Sequence, residues 1–555
     1  MAPPLADRLS SRQKMLLLLS LSLSMFMSSL DSSIVSTALP SMLADLGGFG
    51  QISWVFTIYL LCSTVVVPIV GKLGDMFGRR PFVLAGVTVF LVGSAGCGAA
   101  TSMWMLIVAR GIQGIGGGII LACVLAVMAD MYTPVERAKY VGYVLAIITS
   151  ATLIGPAVGG VITDQIGWRW CFYINLPVGA LVIAVIWVNL PTIRRPGRLS
   201  SIDFAGAALL AILTTALLLA FAWAQKDYGW GSGQTLGLVA VGIASLVLFV
   251  FHEGRHPQAI IPLHLFRNLV YVQTALIVLF SSAFMFASIS YLPTFIQTSL
   301  GASATVSGVI STPQSLGLLA ASIFGGQVVA RTGRFKYQVI IGTGLSAAAT
   351  FLLATLNVGE PKWHIAIYMV IFGLGSGLVT PIMNVIVQNA VGQQYTGVAT
   401  SSQMFFRQIA QVLGVALFGV LFTTSYSSSF ADHVSLDTRA ALPSAVYNAF
   451  ESDPTLPLDE RRWSVVTGQV LAQEGGEALL ATTVAAQRVA VARANERLFL
   501  WAGVGGVLVV VIAVGLREVP LRAKPPPKAE EAGGTEASTA PLPAQPAAAL
   551  RERSS

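Results

Sequence analysis

An all-α membrane protein, with two six-helix bundles and two extra helices between them, is the architecture this sequence predicts. Three observations carry it. Of 555 residues, 55% are hydrophobic and only 10% charged, and the mean hydropathy is +0.75. Apolar runs of about 20 residues, long enough to cross a bilayer, recur along nearly the whole chain. A short glycine-rich and basic segment begins at residue 71 and again at residue 326, 255 residues later.

Several classes are excluded at once. A soluble domain is about a quarter charged, and a disordered chain is far less apolar. The net charge of +8 comes from Lys and Arg at the ends of apolar runs, not from one patch. That distribution reads as membrane topology and not as a nucleic-acid surface. Cys62, Cys97, Cys123 and Cys171 fall inside or at the edge of apolar runs and offer neither a disulfide framework nor metal-ligand spacing. RGIQGIGGG (110–118) has a dinucleotide-like glycine pattern but no strand before it, and no GxxxxGK[ST] is present. With no Ser/His/Asp constellation and no metal pattern among the His residues, an enzyme is not expected, nor is a cofactor.

In chain order the predicted spans are 15–39, 51–71, 81–98, 104–127, 141–163, 171–190, 204–224, 235–252, 269–293, 305–328, 338–356, 364–387, 398–424 and 498–516. The first carries Asp31 and is too long for a cleaved leader. The loops on the N-terminal side carry most of the Lys and Arg, among them Arg8, Arg12, Lys14, Arg137, Lys139 and Arg194, Arg195, Arg198. The short loops opposite carry only Arg169, Lys226 and Lys362. Both termini are therefore expected in the cytoplasm of a cell-membrane protein. The expected division is a cytoplasmic N-terminus (1–14), a first bundle (15–190), a linker with two extra spans (191–268), a second bundle (269–516) and a tail (517–555). The second bundle includes a long external loop, 425–497, with a helix over its Ala-, Val-, Gln- and Arg-rich second half. The tail, with PPP at 525–527, reads as disordered.

The repeat pairs GKLGDMFGRR (71–80) with GQVVARTGRFK (326–336). Duplicated halves are typical of secondary transporters, which hold substrate between them. Further segments occur in order: LDSSIVSTALP (30–40) before the first copy, then RGIQGIGGG, GPAVGG (155–160) with Gly142 upstream, and WRWCFYINLPVG (168–179). Together these resemble the major facilitator superfamily, specifically its fourteen-helix drug:proton antiporter branch, over roughly 10–424 plus the last helix. They are similar to its first-helix, loop 2–3, fourth-helix and fifth-helix antiporter motifs and to the segment entering helix 6. Ala151 departs from the antiporter motif, which usually has another Gly there.

Asp31 is the carboxylate placed deepest in the apolar layer, roughly 12 Å below the far end of its span. Such a charge costs roughly 2.5–3.5 kcal/mol on insertion scales and faces a cavity or a partner. Arg110, roughly 9 Å below the far end of span 4, lies at matching depth. One reading has Asp31 alternately take a proton and meet substrate while Arg110 tunes it; the other is a fixed ion pair holding two helices. Gln403, Arg407 and Gln411 repeat every four residues on span 13, either lining a cavity or bonding to backbone. Ser28, Gln113, Trp54, Tyr59 and Phe284 are further cavity candidates, with lipid or helix packing as the alternative for the aromatic ones.

The resemblance implies an antiporter helix at Gly155, Pro156, Gly159 and Gly160, which would seal the cavity during exchange. It also implies a cytoplasmic latch of Gly71, Asp75, Gly78, Arg79 and Asp130, in which Arg79 pairs with Asp130 and Asp75 faces the start of span 13 near Thr396. The expected protein is a proton-coupled antiporter exporting an amphiphilic compound, cationic or neutral, by alternating access. Its expected partners are the substrate, protons and lipids, with the chain a monomer. The alternatives are export of a lipid or endogenous hydrophobic metabolite, and a non-transporting membrane scaffold or sensor.

Overall fold

In a computed structural model that describes residues 9–47, 51–191, 202–226, 229–458, 460–473 and 475–518, fourteen helices are long and apolar enough to cross a membrane. They are α1 (Ser11–Leu46), α2 (Ile52–Phe77), α3 (Arg80–Gly98), α4 (Met103–Met131), α5 (Pro134–Ile166) and α6 (Asn175–Asn189, after a single turn Trp170–Tyr173). Next come α7 (Phe204–Lys226), α8 (Gly233–Glu253), α9 (Leu269–Thr294), α10 (Ala304–Thr332) and α11 (Lys336–Ala354). The last are α12 (Lys362–Ala390), α13 (Thr396–His433) and α14 (Gly476–Val514). A helix satisfies every internal backbone group by itself, which lipid requires. Its ends still need partners, and local side chains supply them. Ser10 with Gln13 and Thr133 with Glu136 form reciprocal capping boxes at α1 and α5, while Ser102, Ser232 and Ser303 cap α4, α8 and α10.

Gly78 (φ 91°) and Gly333 (φ 66°) end α2 and α10 with positive φ, the region glycine enters without steric cost. They stand 255 residues apart, the offset of the sequence repeat. Asp75 of the first copy corresponds to Ala330 in the second, so only the first carries an acid there.

Helices α1–α6 and α9–α14 form the two halves. At the end where α1 begins, called proximal below, α2 packs on α13, and α5 packs on α10 and α12. Glycine makes both seams close. A Cβ on Gly71 would strike the Ser401 side chain, and one on Gly326 would lie 2.5 Å from the Ala138 carbonyl. A Cβ on Gly142 would be 2.5 Å from the Ser322 carbonyl. Helices α7 and α8 pair with each other, and α7 lies against both α2 and α13. Lys72 of α2 donates to Gln258 just past α8 at 3.2 Å.

The last two spans correct the expected loop. Helix α13 runs on to His433 and α14 starts at Gly476, so the connection is 434–475, not 425–497. The helix expected over the Ala- and Val-rich stretch is present, as the first part of α14 itself. Short helices Leu436–Ala441, Ser444–Ser452 and Glu460–Leu471 fill the connection. They are fixed by packing: Phe430 stacks on Phe450 at 6.2 Å, Phe450 meets Trp463 at 5.9 Å, and the Tyr426 hydroxyl donates to the Phe450 carbonyl at 2.6 Å. Arg8, Arg194, Arg195, Arg198 and residues 519–555 of the expected tail lie outside the described residues.

Candidate functional site

Asp31 and Arg110 meet inside the first half. Arg110 Nη1 donates to Asp31 Oδ2 at 2.5 Å, and the two side chains are 0% and 1% exposed, Asp31 first. Asp31 Oδ1 accepts from Gln113 Nε2 at 2.8 Å and from Asn175 Nδ2 at 3.0 Å. Arg110 also donates from Nη1 to Gln113 Oε1 at 2.7 Å and from Nε to the Val55 carbonyl at 3.3 Å. Its guanidinium carbon sits 4.4 Å from the centre of the Tyr59 ring, a cation–π contact. Ser94 completes the cluster by accepting from Asn175 at 2.9 Å and Gln113 at 3.2 Å and donating to the Phe172 carbonyl at 2.9 Å. Four helices, α1, α3, α4 and α6, thus converge on one carboxylate.

This closed arrangement corrects part of the expectation. In this conformer Asp31 meets the expected partner, Arg110, and it is residues expected to line a cavity that turn elsewhere. Gln113 belongs to the ion-pair network, and Tyr59 lies beneath Arg110, where the hydroxyls of Tyr59 and Ser28 share a hydrogen bond of 2.9 Å. Trp54 packs edge-on against Trp223 of α7 at 6.4 Å. Asn175 and Ser94 were not singled out from the sequence. A polar residue entering an apolar span was the available signal for Asn175; nothing local marks Ser94.

The cavity lies elsewhere. It measures about 640 Å³ and is lined by α9–α14 and, from the first half, by α5 around Leu145 and Thr152. Phe284, Arg407 and Gln411 are in its wall, with Met285 and Phe286. Ser28, Trp54, Tyr59, Gln113 and Gln403 are not among its lining residues. Gln403, 1% exposed, is buried with neither amide atom partnered among the described residues.

At the proximal end a second charged cluster spans the halves. Arg79 donates from Nη2 to Asp75 Oδ1 at 2.6 Å and from Nε to Asp130 Oδ2 at 2.7 Å. Asp75 Oδ2 accepts the backbone N–H of Val398 at 2.8 Å, in the first turn of α13, where a carboxylate meets the positive end of the helix dipole. Burial by itself would lower the Arg79 pKa, but the Asp130 and Asp75 carboxylates outweigh it and hold the guanidinium above its ordinary value. Arg137 of α5 adds a further bond across the seam to Gln388 of α12, and Gln388 donates onward to Thr400 at 2.6 Å.

On α5, Gly155 and Gly159 face α1: added Cβ atoms would strike Ser33 and Thr37 respectively. Gly160 faces open space, and Pro156 is exposed within a continuous helix. Two of the four antiporter-helix positions therefore make the close contact, and two do not.

A sequence model of the Major Facilitator Superfamily matches residues 21–415. The chain belongs to this family. As a Major Facilitator Superfamily protein it is a multi-pass membrane transporter and not an enzyme. It is 40% identical over 420 residues to the multidrug transporter protein MdtP of Bacillus subtilis, covering 76% of this chain and 77% of the relative. It is 32% identical over 415 residues to multidrug resistance protein 3 of the same organism, covering 75% and 80%. The solved proton:xylose symporter XylE shares the fold with a TM-score of 0.57 at 15% identity, over 92% of this chain and 97% of XylE.

Proposed function

We propose that this transporter exports small amphiphilic compounds from the cell in exchange for protons, working as a monomer by alternating access. The observation that carries the coupling is the Asp31 cluster. A titratable carboxylate, wholly buried, is held by one arginine and two amide donors contributed from separate helices. Loss of its charge removes the attraction that holds Arg110 and converts an acceptor-only group into one that donates as well. An uncompensated buried arginine is strongly unfavourable, so protonation of Asp31 forces the cluster to rearrange. Because α1 also packs on α5 through Gly155 and Gly159, a shift of α1 reaches the helix that lines both the seam and the cavity. In this reading α5 seals the cavity during exchange.

The latch residues fit the same cycle. With the Lys- and Arg-rich proximal end placed in the cytoplasm, the contacts of Asp75, Arg79 and Asp130 close the inner side, and the conformer is outward-facing. The relatives named as multidrug transporters support amphiphilic drugs as the cargo, and a roomy wall rich in Phe and Met suits varied apolar bodies. Neutral amphiphiles need nothing more than this lining. A cationic cargo would depend on access to Asp31, which has none in this conformer. A membrane scaffold needs neither a coupled carboxylate nor a latch.

The test is efflux of a fluorescent amphiphile from energised cells expressing the wild type or Asp31→Asn at equal membrane levels. Wild-type cells should stay dark and Asp31→Asn cells should fill as untransformed cells do. Equal efflux by both removes the coupling role, and no efflux by either removes the export reading.

A further inference from the structure

The cavity wall carries one formal charge and nothing to balance it. Among the described residues of that wall, Arg407 is the only ionisable acid or base. Among the described residues no ion pair or hydrogen bond reaches it, and its Nε is buried without a partner. The buried arginines of the fold are handled differently: Arg110 and Arg79 face carboxylates, and Arg137, whose Nε is also unpartnered, bonds through its other nitrogens to Gln388 and two backbone carbonyls. A second orphan lies in the same wall. Gln314 of α10 is 5% exposed, and its Nε2 has no acceptor.

Both unpartnered atoms are N–H donors. A guanidinium stays protonated and can only donate, and a cation in an apolar wall without a counter-charge is costly unless a ligand supplies one. We propose that Arg407, assisted by Gln314, docks an anionic group, a carboxylate or sulfonate, on the exported amphiphile. The apolar body of that compound lies against Phe284, Met285, Phe286 and Phe372, which share the wall. The charge preference thus comes from the second half, whereas proton coupling sits in the first. This assignment rests on the export reading for its biological meaning, but the binding it describes does not require proton coupling.

The experiment measures equilibrium binding to purified full-length protein without a gradient, using anilinonaphthalene sulfonate and its uncharged counterpart phenylnaphthylamine. The two share a ring system and differ by the sulfonate. Wild type should prefer the sulfonate. Arg407→Gln should weaken sulfonate binding by about tenfold, the scale of one charge-assisted hydrogen bond, and leave phenylnaphthylamine unchanged. Arg407→Lys should keep most of the preference, and Gln314→Leu should lose a smaller part of it. A preference that survives Arg407→Gln, or equal loss of both probes, overturns the proposal. Failure of proton-driven transport with the binding preference intact would instead count against the export reading alone.

Discussion

Asp75 on α2 accepts the backbone N–H of Val398 on α13 at 2.8 Å, so a carboxylate from one half caps a helix of the other. Arg79 holds that carboxylate from behind and ties it to Asp130 at the end of α4. The contact joins the two halves at the proximal seam, and none of its residues lines the cavity.

Asp75→Asn should therefore change the conformer ratio and not the cavity. An anion at a helix N-terminus contributes about 1 kcal/mol, so the closed seam should lose several-fold in population. Spin-label distances between proximal ends of α2 and α13 should broaden toward longer values. Ligand affinity, measured where both conformers bind alike, should stay within about twofold; a large drop would mean the latch reaches the binding site.

Gly326→Leu should do the same by sterics. Its Cβ would lie 2.5 Å from the Ala138 backbone carbonyl, which cannot swing aside as a side chain can. The α5–α10 seam should fail to close, and distances between spin labels at the proximal ends of α5 and α10 should lengthen. Unchanged distances would show that the seam tolerates the bulk.

Arg110→Gln should be less stable to heat than the double variant Asp31→Asn/Arg110→Gln. The single change strands a buried carboxylate, an error of about 3–5 kcal/mol, while the double removes both charges. Thermal unfolding in one detergent should give a clear coupling energy for the pair. A coupling near zero is incompatible with the 2.5 Å contact.

Asn175→Ala should destabilise by about 1–3 kcal/mol, because Asp31 Oδ1 and Ser94 each lose a buried donor. The protein should still fold, since Gln113 remains on both acceptors. A neutral outcome in thermal unfolding would mean water replaces the amide.

What could be read from the sequence, and what could not, divides along a physical line. Fourteen spans follow from apolar length, and the paired turns at Gly78 and Gly333 follow from a repeated glycine at fixed offset. The meeting of Asp31 with Arg110 was approachable because helical rise fixes depth. Rotation about each helix axis is not fixed by rise, and that is where expectation and structure part. Tyr59 and Gln113 turn toward the ion pair, while Phe284, Arg407 and Gln411 turn toward the cavity. Asn175 and Ser94 act only through three-dimensional convergence of α3 and α6, which no local pattern encodes. The helix over the Ala- and Val-rich stretch is legible from its composition, but its continuity with the last apolar span is not, because the charged residues between them lower the hydropathy.

The central claim, that Asp31 is the coupling carboxylate, is tested most directly in proteoliposomes with an imposed pH gradient and a fluorescent amphiphile. Wild type should move protons only when substrate is present and should accumulate substrate against its gradient. Asp31→Asn should still exchange substrate down its gradient but move no protons with it. Substrate-dependent proton flux of wild-type size through Asp31→Asn would contradict the claim outright.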